Sequence, residues 1–183
     1  MPYFTQNYTS VWVNINGYLA FGTLGGSGST WPITAPSPSN IISGYNMDLK
    51  TSRCGTLSTR TIADSPTLNS IGAEINSLLK PYPVFSPTNA FVVTWNQVCP
   101  CYHCSSVLWT VTFQILISTN GQQTFLTLNY GNLDFAPYAN GIFYQYVNSN
   151  NILVQTVLAS TSLQFSSNVG VSGKWIYPWF NSN

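Results

Sequence analysis

The sequence predicts a mainly β fold, an antiparallel β-sandwich with one packed α-helix at about residues 66–79. Three observations predict it. Short apolar runs alternate with polar residues at period two, Asn-Gly and Ser-Asn-Asn turns punctuate them, and only one stretch carries an apolar stripe at helical spacing.

Val11, Val13 and Ile15 alternate with Trp12 and Asn14, and Asn16-Gly17 then closes a tight hairpin turn before Tyr18-Leu-Ala-Phe21, because both residues accept positive φ. Thr23 to Ser43, with Gly25-Gly-Ser-Gly and Ala35-Pro-Ser-Pro-Ser, reads as one long loop. Strands are predicted at Ile42–Leu49 and Thr56–Ile62. The helix has Ser65 as N-cap and Pro66 as first helical residue. Its stripe is Leu68, Ile71, Ile75, Leu78 and Leu79, and Pro81 and Pro83 end it. Three strands follow, Phe91–Val98, Val107–Ile117 and the run after Thr119-Asn120-Gly121. Further strands are expected at Ile142–Val147, Ile152–Ala159 and Lys174–Phe180.

The 183 residues are 44% apolar and 15% aromatic, which suits one domain over 1–183 with a substantial core. Charge is the outlier: 5% of residues are charged, against roughly 25% in ordinary domains. Ser, Thr and Asn fill the difference with 22, 19 and 19 copies. A net charge of +1 gives little self-repulsion, so self-association or a glycan covering is expected. Five scattered cations make no stripe for nucleic acid. Met1-Pro-Tyr-Phe-Thr-Gln has neither the basic nor the apolar region of a secretory signal, and the chain is expected to be a mature or excised piece. The run Val107–Ile117 is too short to span a bilayer.

Catalytic chemistry finds no inventory. The carboxylates Asp48, Asp64, Glu74 and Asp134 are remote from one another in sequence, and the single histidine is His103. Gly170 and Gly173-Lys174 have two intervening residues, where a phosphate loop needs four and a following Ser or Thr. No enzyme activity and no cofactor are expected.

Tyr8-Thr-Ser-Val-Trp-Val-Asn-Ile-Asn-Gly-Tyr-Leu-Ala-Phe-Gly22 resembles the opening strand pair of nidogen-like (NIDO) domains. The stretches Phe91–Val98 and Thr112–Gly131 are similar to that family's core strands, and Asn168-Val-Gly-Val-Ser-Gly-Lys-Trp-Ile-Tyr177 to its closing strand. Tyr45-Asn-Met-Asp-Leu-Lys50 resembles a family segment with two acidic positions. Asp48 takes the first and Lys50 replaces the second, so Asp48 is read as a partner of backbone N–H groups rather than a cation ligand. The resemblance implies an extracellular, non-catalytic module that works by structural or adhesive contacts with other extracellular proteins or with itself. The competing reading is carbohydrate binding, with glycans stacked on exposed tryptophans, Trp31 and Trp179 foremost.

The four cysteines are Cys54 and the cluster Cys99-Pro-Cys-Tyr-His-Cys104. With His103 they could ligate zinc, but the spacing fits no standard finger, and the extracellular setting implied by the resemblance favours two disulfides and no metal. Antiparallel strands on either side of the cluster would set Cys99 opposite Cys104, leaving Cys101 for Cys54. The second arrangement is Cys54–Cys99 with Cys101–Cys104. Homotypic assembly is expected through strand edges and the aromatic C-terminal run, with Trp175, Tyr177, Trp179 and Phe180 as anchors. Asn7-Tyr8-Thr9 is the sole N-glycosylation sequon. Asn7 is expected to be occupied on natively secreted protein, and mass spectrometry with and without glycosidase will show the shift; an unmodified Asn7 contradicts it.

Overall fold

The computed structural model describes residues 2–3, 6–22, 40–81, 83–101, 109–134, 143–147, 152–156 and 162–180, and they form an antiparallel sandwich with one helix. One sheet has six strands. Its order is β13 (Lys174–Phe180), β10 (Gln123–Leu133), β9 (Val111–Thr119) and β8 (Asn89–Pro100), with β6 (Leu49–Lys50) and β7 (Thr56–Ile62) both paired to the far side of β8. The other sheet runs β12 (Ile152–Thr156), β11 (Phe143–Val147), β5 (Asn40–Ser43), β4 (Tyr18–Phe21) and β3 (Val11–Asn14). A separate short pair joins β1 (Pro2–Tyr3) to β2 (Gln6–Asn7).

Period two sorts the side chains. Phe91, Val93 and Trp95 on β8, and Phe113, Ile115 and Ile117 on β9, point into the sandwich, where they meet Leu19, Phe21 and Ile42 of the other sheet. Trp95 stacks on Phe113 with ring centroids 4.6 Å apart and planes within 9°. Each such fully buried side chain contributes about 1.5–3 kcal/mol of transfer free energy. The residues between them face outward to the helix α1 (Ser65–Leu79): Ala90 and Leu116 pack with Leu68, and Phe125 and Ile176 with Ile75 and Phe85.

The helix starts one residue earlier than expected. Asp64, not Ser65, is the N-cap, its Oδ1 accepting from the Thr67 N–H at 3.0 Å, and Pro66 falls inside the first turn. Hydrogen bonds from Thr67, ahead of the Arg60 charge, hold the Asp64 carboxyl below its usual range. Lys80 closes the helix in the left-handed region at φ 50° before Pro81. Gly72 lets the helix lie against Pro87, whose Cδ a Cβ would approach to 2.8 Å. Asn76 clamps the following segment, donating to the Phe85 carbonyl at 2.8 Å and accepting from its N–H at 2.9 Å.

One expectation is refined and two are corrected. Asn14 pairs with Tyr18, so the first hairpin has a three-residue loop, Ile15-Asn16-Gly17, with positive φ at Gly17 alone. Part of the expected long loop is strand β5, while residues 23–39 lie outside the described residues. The single strand Ile42–Leu49 is instead two short strands in different sheets. Between them the buried stretch Gly44–Met47 carries the chain across, its backbone bonded to the hairpin loop rather than to a ladder.

That crossing depends on Gly17. A Cβ there would stand 1.9 Å from the Tyr45 carbonyl oxygen, and φ is +86°. Gly17→Ala combines backbone strain with displacement of a buried carbonyl, and should destabilise the protein by at least about 3 kcal/mol in urea unfolding. Gly121→Ala, where nothing lies within 4 Å of the Cβ at φ +91°, should cost only the left-handed penalty, roughly 1–2 kcal/mol.

Candidate functional site

The cysteine end is built by a bulge. β8 pairs regularly with β9 as far as Trp95 opposite Phe113, then slips so that Val98 faces Val111. Gln97 takes φ 54° in the slip and its N–H is caught by the Thr112 Oγ1 at 3.0 Å. Beyond the bulge Cys99 pairs across to Lys50 on β6, and the turn after β6 brings Cys54 to Cys99 with Cα atoms 5.7 Å apart. Gly55 follows at φ 72°, pressed so closely on Gln97 that a Cβ would meet its carbonyl oxygen at 2.3 Å. The disulfide therefore ties the β6–β7 turn to the kinked end of β8.

This corrects the first cysteine arrangement. Cys99 is bonded to Cys54, as in the second arrangement, so it is not left for Cys104. Cys101 is half-buried, and its N–H donates to the Asp48 carbonyl at 2.7 Å. His103 and Cys104 lie outside the described residues. Among the described residues no three His, Cys, Asp or Glu side chains converge, and no helix is long and apolar enough to cross a membrane. The Asp48 carbonyl is engaged, while among the described residues its carboxylate accepts no hydrogen bond; residues 23–39, beneath which it was expected to act, lie outside the described residues.

The strand edges rearrange the expected assembly surface. Trp175 is only 6% exposed, packs between the sheets, and donates from Nε1 to the Leu163 carbonyl at 3.1 Å. It is a core residue and not an anchor, because β13 buries both faces: Trp175 toward the sandwich, Ile176 toward the helix. Tyr177 packs against the same core. The side chains of Trp179 and Phe180 lie outside the described residues, although their backbone continues the ladder opposite Thr124 and Gln123. Trp31 and the Asn7 side chain also lie outside them. Trp95 is fully buried, its Nε1 donating to the Ile15 carbonyl at 2.8 Å. The described tryptophans that reach solvent are Trp12, 54% exposed, and Trp109, 43%. Alternation with the inward Val11 and Val13 was the available signal that Trp12 faces out.

The edges differ in chemistry. On the six-stranded sheet β13 carries Lys174 and Pro178, β7 carries Arg60 and β6 carries Lys50. Lys174 bonds Glu74 of the helix, and Arg60 pairs with Asp64 at 3.0 Å. On the five-stranded sheet β3 reads Val-Trp-Val-Asn and β12 reads Ile-Leu-Val-Gln-Thr, with no charge and no proline.

The family model described as nidogen-like domain matches residues 9–179. Alpha-tectorin of Mus musculus is 28% identical over 128 residues, which cover 70% of this chain and 6% of that protein. No solved structure matches the chain significantly.

Reducing the disulfide, or the double replacement Cys54→Ser with Cys99→Ser, opens a crosslink spanning 45 residues. The chain-entropy relation puts the loss at about 4 kcal/mol, read as a lower urea midpoint. Non-reducing peptide mapping should recover a Cys54–Cys99 peptide; a Cys99–Cys104 peptide would contradict the structure.

Proposed function

The chain belongs to the nidogen-like domain family, and from that premise we propose that residues 1–183 form a single non-catalytic module that makes adhesive or structural contacts with extracellular proteins, copies of itself included. The family points to an extracellular location. The observation that carries the contact reading is the asymmetry of the strand edges. An open edge presents unpaired N–H and C=O groups, and proteins ordinarily blunt it with lysine, proline or another charge. The six-stranded sheet has those devices on each edge, whereas the five-stranded sheet has none on β3 or β12. Among the described strands β3 pairs only with β4, and it presents Trp12, a residue type that anchors interfaces by burying a large area at small entropic cost.

Charge scarcity supports the same reading. Arg60–Asp64 and Lys174–Glu74 are mutually neutralised, so the remaining surface is mainly hydroxyl and amide and offers little electrostatic resistance to close approach. Trp179 and Phe180 remain candidates for a second contact at the C-terminal end of β13, while Trp175 and Tyr177 serve the fold.

Sedimentation velocity over a concentration series tests this. Trp12→Lys should weaken self-association, or binding to an extracellular partner, by at least about tenfold and leave the melting temperature unchanged. Trp109→Lys, on a different part of the surface, should leave association intact. A wild type that stays monomeric and binds no matrix protein, or a Trp12→Lys variant that associates normally, would refute the proposal.

A further inference from the structure

We infer that the cleft between the chain leading into β3 and the first residues of β8 seats the proximal sugars of an N-linked glycan carried by Asn7. The inference rests on the extracellular reading, because only a secreted chain meets the glycan donor. That attachment joins the Asn7 amide nitrogen to the anomeric carbon of an N-acetylglucosamine held on a lipid pyrophosphate; the amide loses a proton and the lipid pyrophosphate leaves.

The cleft has a volume of about 760 Å³ and lies at the opposite end of β8 from the disulfide. Small-ligand sites typically span roughly 300–1,000 Å³. Residues 8–11 form one wall, and residues 61, 88–91, 117 and 119–121 form the other; none of them is charged. Among the polar groups, the Thr88 hydroxyl is taken up by the Thr119 carbonyl at 3.4 Å. Thr119 and Asn120 are spent on the β9–β10 turn, accepting from its N–H groups at 2.7–3.0 Å. Thr9, Ser10, Thr61 and Asn89 are exposed, and among the described residues their side chains make no hydrogen bond. Three hydroxyls and an amide are thus available around an aromatic floor. Phe91 contributes from the edge of the core, and Tyr8 is held in place by its ring contact with Phe21, at 5.3 Å between centroids, and by its hydroxyl on Asn40.

The first sugars of an N-glycan match this lining. N-acetylglucosamine is neutral, presents hydroxyls and an acetamide, and has an apolar ring face that packs on aromatic carbon. An ionic ligand would find no counter-charge there. A peptide would need backbone partners, which these side chains do not supply in a row. Asn7 is also within reach: it is two residues before Thr9, hence within about 7 Å along even a fully extended chain.

The test is a double-mutant cycle on protein secreted from eukaryotic cells, with intact mass recording glycan occupancy. Asn7→Gln should lower the melting temperature by about 2–4 °C in the wild-type background. It should have a clearly smaller effect where Thr61→Ala and Asn89→Ala have already removed two of those four groups. The glycosylated wild type should also show slower amide exchange over residues 88–91 than the Asn7→Gln chain. Bacterially made protein, which carries no glycan, should be insensitive to Asn7→Gln. Equal losses in both backgrounds, or no loss at all, on protein whose Asn7 is occupied would overturn the cleft assignment and leave the extracellular reading standing. An unmodified Asn7 on secreted protein would overturn it as well.

Discussion

The structure depends on how the backbone between β5 and β6 is satisfied. Leaving the five-stranded sheet at Ser43 and joining the six-stranded sheet at Leu49, the chain has to cross the core while buried, and a buried backbone without partners is costly. The first hairpin supplies the partners. The Gly17 carbonyl accepts from the N–H groups of Gly44 and Tyr45 at 3.1 and 3.3 Å, the Asn16 carbonyl from Met47 at 3.2 Å, and the Asn16 side chain from Leu49 at 3.0 Å. Ile15, the third loop residue, accepts from the Trp95 indole on β8. One three-residue loop therefore fixes the spacing of both sheets and the path between them. Only glycine fits at its end, since Tyr45 occupies the space of a side chain.

A second consequence follows for the tyrosines near this crossing. Tyr130 reaches across from β10 and donates its hydroxyl to the Gly44 carbonyl, the other buried oxygen of the crossing. Its burial, then the nearby Tyr177 and Tyr45 hydroxyls, push its ionisation well above the usual range, so it remains a donor at any physiological pH. Tyr45 is held neutral in the same way, by desolvation first and the Asp134 charge second. The inter-sheet bond from Tyr130 is thus independent of pH in the physiological range, and among the described residues the core contains no ionised side chain.

Much of this was legible in the sequence where one rule governed the backbone. Thr56–Ile62 and Lys174–Phe180 are strands with those bounds because each pairs along its full length with a long neighbour. The helix was legible from its stripe, and its cap slipped by one because Asp64 and Ser65 are both competent and only the Thr67 N–H distinguishes them. Failures came where a local pattern served a distant partner. Ile42–Leu49 has the composition of one strand, yet its middle is bonded to a loop some thirty residues earlier. The cysteine pairing turned on the Gln97 bulge, which no spacing rule reveals. The terminal aromatic run looked like surface because sequence does not show that β13 is covered on both faces.

The same covering is why the proposed contact surface is β3 rather than β13. The helix covers the outer face of the six-stranded sheet through Leu68 and Ile75, and its Glu74 bonds the lysine that blunts β13. One helix therefore serves both the face and the edge of that sheet. The five-stranded sheet has no helix among the described residues, and its edge strands carry no charge that could serve both purposes. A chain with so few charges concentrates them where they do two jobs at once. The uncharged edges are what such a distribution leaves over, and β3, with Trp12 half in solvent, is the described edge where the consequence is visible.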